Sequence, residues 1–270
     1  MLRKSWPFFV LTFAISWLLW LPGVLRSNGI DNVPEIPSLG IYGPVIAAFI
    51  LVGIKQGWAG MGRPLRRAWQ TGFAWRWWWP TLLLLPLIGL ITVALMVLLG
   101  VELPAWSAPD LATALITPIF ILFLGGGLEE FGWRGYALDR MQTGQNALVA
   151  SLVLGFFWGL WHLPLFFIDT TVYTLASIPL WQFILQQMLL AVLYTWIYNN
   201  TGGTLLLMII FHTLGNTSSA LLPPWFATEL GRWLNFGVLI ITAVVVATVW
   251  GWRALNRDQP VPQPSLPADS

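Results

Sequence analysis

Glu129, Glu130 and Arg134 lie in the stretch Leu128 to Tyr136, directly after the uncharged apolar run Leu111 to Gly127. An ionisable group in a lipid-embedded helix costs about 3 kcal/mol or more to insert, so such groups default to a functional role. At helical spacing Glu130 and Arg134 are four residues apart and close enough to pair, whereas Glu129 points about 100° away and is left for chemistry. The chain has two histidines, His162 and His212, and both fall inside apolar segments. His212 shares a helical face with Asn216, one turn further on. His162 follows Trp158 by the same spacing and precedes Leu163-Pro164, where a helix should kink or end.

A carboxylate and two imidazoles can hold and deprotonate a water, directly or through a metal ion, and the Asn216 amide can donate to a developing oxyanion. These are the parts of a hydrolase whose nucleophile is water. With a divalent ion such as zinc, the ligands would be Glu129, His162 and His212, with the water in the fourth position; without one, a glutamate and a histidine can still activate water. Neither a GxSxG elbow nor an HExxH helix is present. The absence of cysteine excludes disulfides, thiolate nucleophiles and zinc–sulfur sites.

The elements that must position these groups follow from composition. Of 270 residues, 57% are hydrophobic and 9% charged, and mean hydropathy is +0.73. A soluble domain carries about 25% charged residues, so the chain reads as an all-α polytopic membrane bundle. Apolar runs of about 20 residues, rather than alternating runs of about ten, exclude a barrel. Eight spans are expected: Trp6–Leu25, Leu39–Ile54, Trp79–Leu99, Leu111–Arg140, Ala147–Phe167, Pro179–Tyr198, Thr204–Leu222 and Trp233–Trp252. They form one bundle over residues 1–255 with a catalytic core at 111–222, and 256–270 reads as a disordered tail. Gly155 and Gly159 form a small-xxx-small pair that predicts close packing of the fifth span on a neighbour. Asp139 and Arg140 read as a solvated helix end.

Eight spans put both termini on one side, together with Arg3, Lys4, Lys55, Arg63, Arg66, Arg67, Arg76, Arg140, Arg253 and Arg257; Arg26 and Arg232 fall on the other. The positive-inside rule then makes the termini cytoplasmic. A net charge of +2 distributed in this way is topology rather than a nucleic-acid surface.

Glu129-Glu130-xxx-Arg134, Trp158-xxx-His162 and His212-xxx-Asn216 resemble, in order and spacing, the three motifs of the CAAX-protease and bacteriocin-processing (CPBP, or Abi) family. These intramembrane endopeptidases are related to the Ras-converting CAAX prenyl endopeptidase. The resemblance covers roughly Leu111 to Leu222 and implies a helical core whose site opens toward the cytoplasm; the short loops and compact chain suit a bacterial cytoplasmic membrane. It implies Glu129 as the water-activating base and His162 as a holder of that water. Glu130 and Arg134 would be the supporting pair. His212 and Asn216 would stabilise the oxyanion, or bind metal in the metalloprotease description of the family. Trp158 departs from the phenylalanine usual at that position. The implied partners are membrane lipids and a peptide or membrane-anchored protein substrate, prenylated or not.

Two other functions use the same residues. A proton- or ion-coupled transporter would use the buried carboxylates and histidines as a relay. A catalytically silent scaffold or immunity protein would keep the fold alone.

Overall fold

The computed structural model describes residues 5–33, 39–103, 105–168, 178–257 and 261–262. Most of the expected tail, with Arg3, Lys4 and Asp169, lies outside them. Every described regular element is helical. Eight principal helices follow in order: α1 Trp6–Ser27, α2 Gly43–Arg67, α3 Trp78–Leu98, α4 Leu111–Leu124, α5 Ala147–Trp161, α6 Leu180–Asn200, α7 Leu205–Leu221 and α8 Glu229–Val249. Seven spans are long and apolar enough to cross a membrane, with the segment Leu111–Gln142 as one of them; α7 is apolar but shorter, at 17 residues.

Several helix starts follow from the side chains placed there. Asp110 accepts from the Thr113 backbone N–H at 2.8 Å, and that bond holds its carboxyl below the usual carboxylate range. Asn146, Thr204 and Thr228 cap α5, α7 and α8 in the same way. α5 stops at Trp161, three residues before Pro164, and continues as a tight 3₁₀ turn over Leu163–Phe167. The glycine pair meets α6: a Cβ on Gly155 would collide with the Met188 Cα, and one on Gly159 would come within 2.9 Å of the Ile184 Cα. Close backbone approach at these two points fixes α6 against α5.

The two ends of the bundle differ in chemistry. At the end that carries the chain termini, Arg67 of α2 donates to Gly203 O at 2.9 Å and pairs with Asp139 at 2.8 Å. There too Asn199 donates to Ala254 O at 2.7 Å. Asp139 and Arg140 are buried here, not solvated as their position at a helix end suggested. Asp139 takes hydrogen bonds from Arg67 and Tyr198, and the Arg140 guanidinium lies 3.5 Å from the Tyr136 ring centroid. At the opposite end the joints are indole, phenol and amide groups on backbone carbonyls: Tyr42 to Phe123 at 2.9 Å, Trp106 to Leu221 at 3.0 Å and Asn28 to Phe167 at 3.2 Å.

Candidate active site

The fourth span does not cross as one regular helix. α4 ends at Leu124, and Gly126 adopts φ 105°, a left-handed conformation that an L side chain rarely takes. The chain resumes as a 3₁₀ turn at Gly127–Glu129, an α turn at Glu130–Gly132 and a π-helical segment at Trp133–Leu138. Irregular backbone inside a membrane is tolerated where it is buried in protein or lines a cavity, and π-segments recur at functional sites. Here the break places Glu129 beside a cavity and Glu130 behind it.

Glu130 and Arg134 are both fully buried and joined at 2.9 Å between Arg134 Nη1 and Glu130 Oε1. The same carboxylate oxygen meets His212 Nδ1 at 2.7 Å. The guanidinium lies 3.9 Å from the Tyr194 ring centroid and 4.5 Å from that of Trp158, so aromatic faces cover a charge that the pair alone leaves partly unsatisfied. Within the described residues, Arg134 Nε and Nη2 have no hydrogen-bond partner.

Glu129 is held differently. Its Oε2 accepts from the indole N–H of Trp133 at 3.0 Å and of Trp158 at 3.1 Å. Its Oε1 faces the imidazole of His212: a Cβ built on Gly126 would lie 2.8 Å from Glu129 Oε1 and 2.8 Å from His212 Nε2. Both groups therefore border the backbone of Gly126 from the same side. Because His212 Nδ1 is engaged by a carboxylate, that nitrogen carries a proton, and Nε2 is left to work toward the cavity.

His162 follows the last residue of α5. Its Nδ1 donates to the Trp158 carbonyl at 2.8 Å, which leaves Nε2 free to accept, and its ring packs on Trp161 and Phe183. Asn216 donates from Nδ2 to Gly125 O at 2.7 Å and so fastens α7 to the break in the fourth span.

Glu129, His162, His212 and Asn216 all line one cavity of about 380 Å³, a size that suits a small ligand or peptide segment. Glu130 and Arg134 stand behind its wall. The sequence leaves a metal open, with Glu129, His162 and His212 as its ligands if one is bound. Among the described residues no group of three His, Asp or Glu side chains is placed to hold an ion. Glu129 and His212 approach one point, whereas His162 is tied back to Trp158, whose ring lies against both imidazoles at centroid distances of 6.1 and 5.5 Å.

The cavity runs from Glu129 to the end of the bundle marked by Ile41, Leu165, Ile178, Leu222 and Phe226, opposite the termini. Cytoplasmic termini and a site opening to the cytoplasm, both expected from the sequence, are therefore incompatible. The topology puts the basic residues and the cavity mouth at opposite ends.

Sequence reasoning missed Trp133 and Trp158 as donors to Glu129. The signal was there, since Trp133 follows Glu129 by four residues and Trp158 precedes His162 by four, but interfacial tryptophans are common in membrane proteins. It also missed Tyr194, and the amides Gln186, Gln187 and Asn235 on the cavity wall. Uncharged amides inside apolar spans were the clue to these.

A buried acid–imidazole cluster thus lies on an apolar cavity within a bundle of helices long and apolar enough to cross a membrane. Residues 111–218 match the family model described as Type II CAAX prenyl endopeptidase Rce1-like. The chain is also similar to CAAX prenyl protease 2 of Methanococcus maripaludis, 27% identical over 252 residues, which is 88% of this chain and 91% of that protein. The family model covers 108 of the 270 residues, and over them the chain is similar to the Rce1-like CAAX prenyl endopeptidases.

Proposed function

We propose that the chain is a glutamate-dependent endopeptidase that cleaves a peptide bond of a membrane-associated substrate with a water activated by Glu129. The observation that carries this reading is the unequal use of the two Glu129 oxygens. Two indole donors fix Oε2, whereas Oε1 lies beside Gly126 together with His212 Nε2. A carboxylate held in this way is oriented without losing its basic oxygen.

In this mechanism Glu129 Oε1 takes a proton from the water as its oxygen bonds to the scissile carbonyl carbon. His162 lines the same cavity, with its Nε2 left for the substrate. The carbonyl oxygen becomes an oxyanion and is met by a proton on His212 Nε2 and by the Asn216 amide. As the carbon–nitrogen bond breaks, the proton on Glu129 passes to the leaving amine, which regenerates the carboxylate. Glu130 holds His212 Nδ1–H and so keeps the imidazole oriented, and Arg134 balances the Glu130 charge. No metal enters these steps.

The walls near Ile88, Phe120 and Leu239 suit a hydrocarbon chain, and the relative's name, CAAX prenyl protease, makes a prenylated peptide the first substrate to try. With the basic end of the bundle in the cytoplasm, the cavity faces the extracytoplasmic leaflet and takes its substrate from that side.

The test uses the purified protein and a library of internally quenched peptides, each with and without a farnesyl group. Glu129→Gln keeps the shape of the side chain and removes the base. Loss of cleavage in a variant that elutes and melts like the wild type is the expected result. Turnover at the wild-type rate would refute the mechanism, and a wild type that cleaves nothing in the library would refute the peptidase reading.

A further inference from the structure

The π-helical segment Trp133–Leu138 is followed directly by a short α-helix, Asp139–Gln142. Where an i→i+5 pattern reverts to i→i+4, the backbone N–H groups pass over one carbonyl, and a buried carbonyl needs a donor from elsewhere. Arg67, the last residue of α2, supplies one: its Nη1 donates to Gly135 O at 3.4 Å. The same guanidinium pairs with Asp139 at 2.8 Å, donates to Gly203 O at 2.9 Å and donates to the Tyr198 hydroxyl. Tyr198 in turn donates to Asp139, and its oxygen lies 3.2 Å from Arg134 O. Asp139 and Tyr198 are fully buried, and none of the three groups lines the cavity.

This cluster stands where the register of the catalytic groups is decided. A π-segment amounts to one residue inserted into an α-helix. Closing it would turn Glu129 and Glu130 by about 100° about the helix axis and shift them by about 1.5 Å relative to Asp139. Their bonds to Trp133 and Arg134 would travel with that turn. Their partners on other helices, Trp158 of α5 and His212 of α7, would not. An arginine suits the position because its planar fork carries several donors in fixed directions, so one side chain holds Gly135 O, Asp139, Tyr198 and Gly203 O at once. An ion pair that only tied α2 to the bundle would need Asp139 and no carbonyl of the π-segment.

On the reading that the chain is a peptidase, we infer that Arg67, with Asp139 and Tyr198, locks the register of the fourth span. The lock keeps the π-segment open from the end of the bundle opposite the cavity mouth. It thereby holds Glu129 against Trp158 and Glu130 against His212. The three are positioning residues, and none of them meets the substrate.

Arg67→Lys keeps a positive charge beside Asp139 and removes the fork. With the quenched peptide cleaved fastest in the library screen, kcat is expected to fall about ten- to a hundredfold, the scale for misplacing reacting groups by about 1 Å, with KM within about twofold of wild type. The second readout is the indole N–H magnetic resonance signal of Trp133 in protein carrying isotope-labelled tryptophan, assigned by its loss in Trp133→Phe. It should move in Arg67→Lys, while the signals of Trp181 and Trp233, packed together at the other end of the bundle, stay in place. A purely structural ion pair would lower the melting temperature and leave the Trp133 signal where it was. Tyr198→Phe keeps the ring and removes only the hydroxyl, and it decides the matter if Arg67→Lys does not fold. It should move the Trp133 signal and lower kcat about threefold or more. An unmoved Trp133 signal, or kcat within twofold of wild type in both variants, overturns the lock and leaves the peptidase reading intact. A wild type that cleaves no peptide overturns the peptidase reading alone, because the Trp133 signal is read without substrate.

Discussion

Gly126→Ala adds one carbon at the point where Glu129 and His212 converge. Its cost to folding can be separated from its cost to chemistry. The residue has φ 105°, so an alanine pays a backbone penalty of about 1 kcal/mol, whatever surrounds it. The new Cβ would also lie 2.8 Å from both Glu129 Oε1 and His212 Nε2, well inside the roughly 3.5–4.0 Å at which carbon sits comfortably against its neighbours. It therefore moves both side chains by several tenths of an ångström or more. Misplacement of reacting groups by about 1 Å costs about a hundredfold in rate, so cleavage should fall below about 1% of wild type. Gly100→Ala supplies the control, since Gly100 has φ 71° and nothing within 4 Å of a Cβ. The backbone penalty is thus shared and the site is untouched. Both variants should melt within a few degrees of each other in detergent, and Gly100→Ala should cleave the quenched peptide normally. A Gly126→Ala protein that keeps a tenth of wild-type turnover would refute the dependence of the reaction on the placement of Glu129 and His212.

Two further outcomes follow from the same geometry. Trp158→Phe, which installs the residue more usual in the resemblance, removes one of the two N–H donors on Glu129 Oε2 while keeping an aromatic ring beside Arg134. A hydrogen bond to a charged group contributes about 1.5–3 kcal/mol, so kcat should fall about tenfold or more with the fold intact, and a variant as active as wild type would show that Trp133 alone orients the base. The cysteine-free chain is suited to accessibility mapping. A membrane-impermeant maleimide should label Glu102→Cys and Ser219→Cys in intact cells and Gly144→Cys only after permeabilisation, and the reverse pattern would put the cavity mouth in the cytoplasm.

The spans were legible because twenty-residue apolar runs can do little else in a bilayer, and the expected and observed ends of most differ by only a few residues. Pro164 gave the end of α5, and the Gly155–Gly159 pair gave a close neighbour, though not which one. The break at Gly125–Gly126 was not legible. Apolar periodicity runs straight through it, and two glycines in a membrane span are unremarkable until the left-handed φ is seen. Asp139 and Arg140 misled for a related reason. At the end of a span such residues are usually solvated, but Arg67 reaches them from another helix, and such a partner is invisible to local reading. The direction of the cavity was not legible because its far end is lined by residues of separate segments, among them Ile41, Leu165, Ile178 and Phe226.

Geometry ties the cluster together: Glu130 meets both Arg134 Nη1 and His212 Nδ1 through a single oxygen, and Glu129 is held apart from them by two indole N–H groups. Removing one member of a buried pair costs about 3–5 kcal/mol, far more than the pair contributes to stability over an apolar substitute. Stability alone would favour leucines at these positions, which supports the catalytic roles proposed for the set.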